Sequence, residues 1–250
     1  DKINHEKLWY DWLSNVDPNK YTIYIHYKEN KPLKYFEKYK LEHSLKTCWG
    51  CLSVVNAQLY ILENALKDLQ NQHFIWLSGS CIPFKSFDFI YNFLKINKSY
   101  YNKAPDSQVF PRSNNALKYI KKENLKKANM ASIINRKHAQ IFVYNKQNIN
   151  KWFNNINNVD EIALISIIYN NNLENELVLT DNIAAGSIIF AQWSDMSNYK
   201  IFEGSKKKNA YTYNYICKEE LEYLINSKSL FGRKFEENCT GLENLLNIIY

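Results

Sequence analysis

The sequence predicts an α/β layered fold, a central sheet flanked by helices. Three observations carry this. Short runs rich in β-branched and aromatic residues, such as "YTIYIHY" and "FIWL", read as strands. Segments with apolar residues three and four apart, such as "SVVNAQLYILENALKDL", read as amphipathic helices. The two kinds alternate along the chain, which favours helices layered on a sheet.

The elements follow in order. Leu8, Trp9, Trp12 and Leu13 fall at helical spacing. Tyr21 to Tyr27 is expected to be a strand. Leu52, Val55, Leu59, Leu62, Leu66 and Leu69 predict a long helix, with Ser53 near its start as a candidate cap. "FIWL" is the next strand, followed by a polar elbow, Ser78-Gly79-Ser80-Cys81, and a helix over about Ser86–Leu94. Asn97 to Lys127 lacks a clear period and is expected to be irregular, with one short helix near Ala116–Lys122. "ASIINRKHAQIFVY" reads as a strand running into a helix. "QNINKWFNNI" and "DEIALISIIYNN" read as helices, and Ile183 to Trp193 as a strand. Helices over Lys218–Asn226 and Leu242–Ile249 enclose the motif "LFGRKFEEN". No composition shift or repeat divides the chain, so residues 1–250 are expected to form a single domain.

Composition narrows the function classes. The chain has 250 residues, 46% hydrophobic, with 19 Tyr, 13 Phe and 6 Trp. That supports a sizeable core and supplies flat surfaces for stacking on sugars or bases. The net charge of +7 favours anionic ligands. Lys and Asn are scattered rather than clustered, so a dedicated nucleic-acid groove is not expected. No run approaches the ~18 apolar residues of a membrane span. The pair Cys48-x-x-Cys51 is open to zinc or redox chemistry, but no second pair completes a zinc site, and no metal is expected. A disulfide between Cys217 and Cys239 is another option.

In layered α/β folds ligands gather at the carboxyl ends of strands, where the elbow after Leu77 lies. The elbow has one glycine and is not a phosphate loop, and no Asp-x-Asp is present to hold a divalent cation. Cations near a phosphorylated ligand could instead come from Arg233 and Lys234, flanked by Phe231 and Phe235, or from Lys206, Lys207 and Lys208. Otherwise these are solvated surface charges. Asp160 and Glu161 are either helix-start acids favoured by the dipole or a general base. Trp193 is either core or a sugar-stacking platform. His26 and His138 read as structural, and Trp49-Gly50 as a tight lead-in to the long helix.

Taken in order, "YTIYIHY", "WGCLSVVNAQLYILENALKDL", "FIWLSGSCIPFKSFDFIYNFL", "INRKHAQIF", "VDEIALISII", "FAQWSD" and "SLFGRKF" resemble the core-2/I-branching β-1,6-N-acetylglucosaminyltransferase family, especially its plant-type branch. The resemblance implies a GT-A-like, Rossmann-like nucleotide-sugar fold with a mostly parallel sheet. It implies an inverting, metal-independent glycosyltransferase without cofactor, using a UDP-sugar donor, most often N-acetylglucosamine, and a glycan or glycoprotein acceptor. It places Glu161 as catalytic base with Asp160 beside it on the substrate side. Lys234 falls at the donor diphosphate with Arg233 as an auxiliary, and Ser78, Gly79 and Ser80 beneath the donor. His26 falls in the donor corner, where animal members carry aspartate, and Trp193 on the acceptor side. An arginine of the animal enzymes is replaced here near Tyr211. The family's first strand is expected before Asp1, along with any membrane anchor. Localisation would be lumenal, in the Golgi or another secretory compartment. The alternative is a non-catalytic nucleotide-sugar or carbohydrate-binding protein on the same fold.

Overall fold

A computed structural model describes residues 2–180, 187–192 and 210–250. Helices and strands are interspersed along the chain, but not in the regular alternation the sequence suggests. Helix α1 spans Glu6–Leu13 and α2 spans Leu52–Ala65. Strand β1 (His73–Ile75), a two-residue β2 (Ile82–Pro83), α3 (Phe87–Phe93) and β3 (Ser99–Lys103) follow. Next come β4 (Ala128–Asn135), α4 (Arg136–Tyr144), α5 (Lys146–Trp152), α6 (Ala163–Asn170), β5 (Leu177–Thr180) and β6 (Ile189–Ala191). The chain closes with β7 (Tyr213–Tyr215), α7 (Lys218–Asn226), β8 (Phe231–Arg233), β9 (Phe235–Thr240) and α8 (Leu245–Ile249).

The largest sheet runs β1-β4-β3-β5, and β2-β8-β6 and β7-β9 form smaller ones. The sheets are mixed. β1–β4, β3–β4 and β2–β8 are antiparallel, whereas β3–β5, β6–β8 and β7–β9 are parallel. Alternate residues of the large sheet point to opposite faces. Phe74, Tyr101 and Ile134 join a core with α2, α4 and α6. Tyr100 and Ile133 join a second core with α1 and α3.

Four differences from the sequence reading have local causes. Helix α2 stops at Ala65, and Leu69 is 74% exposed. The Arg136 guanidinium donates to the carbonyls of Leu66, Asp68 and Asn71 at 2.8–2.9 Å, capturing the chain as it leaves the helix. Strand β3 lies inside the stretch expected to be irregular. Its polar residues are buried because each is satisfied. Asn102 donates to Ile189 and accepts from Ile188 and Thr180, and Ser99 lies 2.7 Å from His138 Nδ1. Cys217 accepts from Glu220 N–H at the start of α7, and it and buried Cys239 are free, so the two are not bridged. Of the expected strand over residues 183–193, only β6 lies within the described residues.

The fourth difference is the segment Tyr21–Tyr27, which forms no strand ladder. It makes one parallel bridge, Ile25 to Lys40. Ile25 bonds Tyr39 and Leu41 through its backbone, which turns the backbone groups of Tyr24 and His26 the other way. They face β1 across a slot of about 820 Å³. On the β1 side, Trp76 bonds Ser132 and Gln72 bonds Arg136, so the backbone of His73, Ile75 and Leu77 also faces the slot. Leu62 and Ala65 of α2 wall one face, and Trp12, Phe87 and Ile90 the other. The extended segment lacks ladder bonds because no described strand occupies that slot.

Candidate active site

The elbow after β1 is a closed turn. Cys81 N–H donates to the Ser78 carbonyl at 3.0 Å, and Ser78 Oγ lies 3.1 Å from Ser80 Oγ and 3.3 Å from Cys81 Sγ. Gly79 is required by a close approach, since a Cβ there would lie 1.9 Å from the Lys2 carbonyl oxygen. The Gly79 carbonyl accepts from Asn4 N–H at 2.7 Å, and Trp9 Nε1 donates to the Cys81 carbonyl at 3.0 Å. Helix α1 thus holds the elbow from one side. From the other side, Phe235 N–H donates to the Ser80 carbonyl at 3.0 Å, which brings Lys234 against the turn. Burial pushes the Cys81 thiol pKa up, opposed in part by its hydrogen bond to Ser78 and by the nearby Arg233 charge. Burial thus disfavours the thiolate there.

Arg233 ends β8, which is clasped between β2 and β6. Gly232 lets this strand lie against the Phe84 ring. Arg233 and Lys234 are half-buried neighbours, and neither has a carboxylate within ion-pair distance among the described residues. Burial, and then repulsion from Arg233, lowers the Lys234 pKa. Arg233 Nε is buried without a hydrogen-bond partner among the described residues. Two adjacent cations without an ion-paired carboxylate attract anions.

Asp160 and Glu161 sit in a 3-10 turn, Val159–Glu161, one step before α6 rather than in its first turn. Burial pushes the Asp160 pKa up, Glu161 adds repulsion, and the charges of Arg233 and Lys127 oppose both. That electrostatic reach puts Arg233 and the acidic turn in one neighbourhood. The Glu161 carboxylate pairs with Lys127 Nζ at 3.1 Å, and Lys127 also donates to Gln108 at 2.8 Å. Gln58 of α2 lines the small cleft beside Asp160 and Glu161, with its carbonyl oxygen buried and without a hydrogen-bond partner among the described residues.

The structure therefore gathers the elbow, Arg233, Lys234, Asp160 and Glu161. His26 lines the slot together with Ser78 and Gly79. Its Nε2 accepts from Leu45 N–H at 2.9 Å, and burial lowers its pKa, so the ring is neutral and fixed. Trp193 and Lys206–Lys208 lie outside the described residues. Lys127 and Gln58 were not singled out in the sequence. Lys127 is one of two consecutive lysines in a polar stretch, and Gln58 is a polar position in an amphipathic helix. Neither pattern signals a site.

Cys48 and Cys51 are joined in a disulfide. Among the described residues no three His, Cys, Asp or Glu side chains converge as a metal-binding set. No helix among them is long and apolar enough to cross a membrane.

The family model for Core-2/I-Branching enzyme matches residues 1–225. The chain belongs to that family. It is also similar to Glycosyltransferase BC10 of rice, Oryza sativa subsp. japonica, at 23% identity over 155 residues. That match covers 59% of this chain and 39% of the rice protein. The motifs that carried the resemblance in the sequence fall almost entirely within the matched span. "SLFGRKF", with Arg233 and Lys234, lies just beyond it.

Proposed function

We propose that this Core-2/I-Branching enzyme is an inverting glycosyltransferase on a GT-A-like fold. It moves a sugar, N-acetylglucosamine as the leading candidate, from a UDP-sugar to a hydroxyl of a glycan or glycosylated acceptor, with no metal ion required. The observation that carries the reading is the adjacent pair Arg233 and Lys234, which has no ion-paired carboxylate among the described residues and is held against the elbow, with Arg233 within electrostatic reach of Asp160. Glu161 takes the proton of the acceptor hydroxyl as that oxygen bonds to the anomeric carbon. The bond from the anomeric carbon to the diphosphate breaks, and its electron pair leaves with the nucleotide. Lys234 and Arg233 stabilise that growing negative charge, as preorganised cations do in a water-poor site. Binding donor and acceptor side by side removes much of the remaining entropic barrier. Asp160, Ser78–Ser80 and His26 position the substrates, and Trp193 serves the acceptor. A secretory-pathway lumen is the proposed setting.

The test is UDP release from a panel of UDP-sugars with glycan acceptors, run with and without a chelator. Transfer that survives the chelator is expected. Strict dependence on manganese overturns the metal-free scheme.

A non-catalytic nucleotide-sugar-binding role is favoured by one observation. The Glu161 carboxylate is already engaged by the Lys127 ammonium. Donor binding without turnover across the acceptor panel would establish that role.

The slot between Tyr21–Tyr27 and β1 supports one further strand in the sheet. Among the described residues both of its edges offer backbone groups without partners, and both of its faces are apolar, the setting of a buried central strand. Lys2 and Ile3 lie at the end of the slot beside Gly79.

A further inference from the structure

The Cys48–Cys51 motif is not used by the reaction above, yet it touches the turn that carries the base. Cys51 N–H donates to the Cys48 carbonyl at 3.2 Å, and Cys48 N–H donates to Ser53 Oγ at 3.1 Å, so the loop is pinned to the first turn of α2. Between the cysteines, Gly50 adopts φ +68°, a left-handed conformation that glycine takes readily. A Cβ on Gly50 would lie 2.6 Å from Asn158 Oδ1 and 3.2 Å from Asn158 N. The Gly50 carbonyl accepts from Val159 N–H at 3.3 Å. Asn158 is itself left-handed at φ 54°, and its carbonyl accepts from Glu161 N–H at 3.1 Å. Each contact is one step of a continuous path from the disulfide to the backbone of Glu161. Cys48 is an exposed residue and Cys51 a half-buried one, so the bridge lies at the surface.

We propose that the Cys48–Cys51 loop, with Gly50 at its tip, is a redox-labile clamp that positions the Asp160–Glu161 turn. Its effect on turnover rests on the reading of Glu161 as the base. A thiolate of a small dithiol attacks Cys48 Sγ and forms a mixed disulfide, releasing the Cys51 thiolate, which takes up a proton. The second thiol of the reductant, as thiolate, then displaces Cys48, which leaves as a thiol. Two electrons and two protons pass to the protein, and the reductant leaves as its cyclic disulfide. The opened loop no longer fixes Gly50 against Asn158, and the acidic turn loses its outer support.

The experiment compares oxidised protein, protein reduced with dithiothreitol, and the Cys48→Ser/Cys51→Ser and Gly50→Ala variants. Peptide mass spectrometry locates the opened disulfide. Amide hydrogen exchange at Val159 and Glu161 is expected to quicken at least tenfold on reduction and in both variants, and by more than at core amides of β4 such as Ile133, which separates a local loosening from the general loss of stability that a strained alanine or a lost disulfide brings. Where the oxidised protein transfers sugar, reduction is expected to lower kcat about 10- to 100-fold, the scale on which a ~1 Å misplacement acts, with donor KM within twofold. Reoxidation restores it, and Gly50→Ala no longer responds to reductant. Exchange at Val159 and Glu161 that is unchanged by complete reduction overturns the clamp. So does a transferring enzyme whose kcat is indifferent to it. Absence of transfer by the oxidised protein instead counts against the proposed function, while amide exchange still decides the clamp.

Discussion

Replacing Gly232 by alanine would place a methyl carbon 2.0 Å from Phe84 Cζ and 2.4 Å from Cε2. Carbon atoms rest at about 3.5–4.0 Å, so the overlap is roughly 1.5 Å. The Phe84 ring cannot simply swing away. It is fully buried and packs against Phe190 and Phe235 with ring centroids 6.2 Å apart. Either β8 lifts from β2 or the aromatic cluster repacks. Overpacking of this kind costs about 1–3 kcal/mol, offset by up to about 1 kcal/mol from the stiffer unfolded chain. A net loss of about 2 kcal/mol lowers the thermal midpoint of a chain this size by about 4–8 °C. A lifted β8 also carries Arg233 and Lys234 away from the elbow, so kcat is expected to fall about 10²-fold. Differential scanning calorimetry and a UDP-release assay read the two effects. The double variant Gly232→Ala/Phe84→Leu should recover part of both losses, because the smaller side chain vacates the contested space. A Gly232→Ala protein with the wild-type midpoint and rate refutes the reasoning.

Glu161→Gln keeps the shape but removes the base, so turnover is expected to drop about 10²–10⁴-fold while calorimetric donor binding stays within a few-fold; near-normal turnover removes Glu161 from the role. Burial lowers the pKa of His5, His26, His73 and His138 in the folded protein. The unfolded chain binds more protons below the ordinary histidine value near 6.5, so these groups leave stability intact above that pH and erode it as pH falls toward the folded values. The thermal midpoint should therefore decline between pH 7.5 and 5.5, and a flat profile contradicts the assignment. If a strand fills the slot, the amides of Ile75 and Leu77 should be as protected from exchange as those of Phe74 and Trp76. Rapid exchange of the odd-numbered pair alone argues against that strand.

Legibility followed the strength of the local signal. Helices α1 and α7 announce themselves by period, and Lys218–Asn226 is recovered to the residue. The elbow was readable because an apolar run ends abruptly in small polar residues. Strand β3 was hidden because Ser99 and Asn102 look like loop residues, and only their buried partners make them strand residues. The opposite error arose at Tyr21–Tyr27, where β propensity is strong but a strand exists only with a neighbour on each needed edge. Among the candidate site residues, the adjacent pairs Asp160–Glu161 and Arg233–Lys234 stand out in the sequence. Lys127 does not, because its meaning comes from Glu161 lying opposite it in space.

The two indoles of α1 give this protein a built-in optical reporter. Trp9 stacks on Phe231 with centroids 6.0 Å apart, and Trp12 meets the same ring edge-on at 6.3 Å. Phe231 lies two residues from Arg233 on one short strand. Any anion that draws the cations toward it should tug that strand and alter the emission of both indoles. Occupancy of the donor seat could then be followed by intrinsic fluorescence, before any acceptor is known.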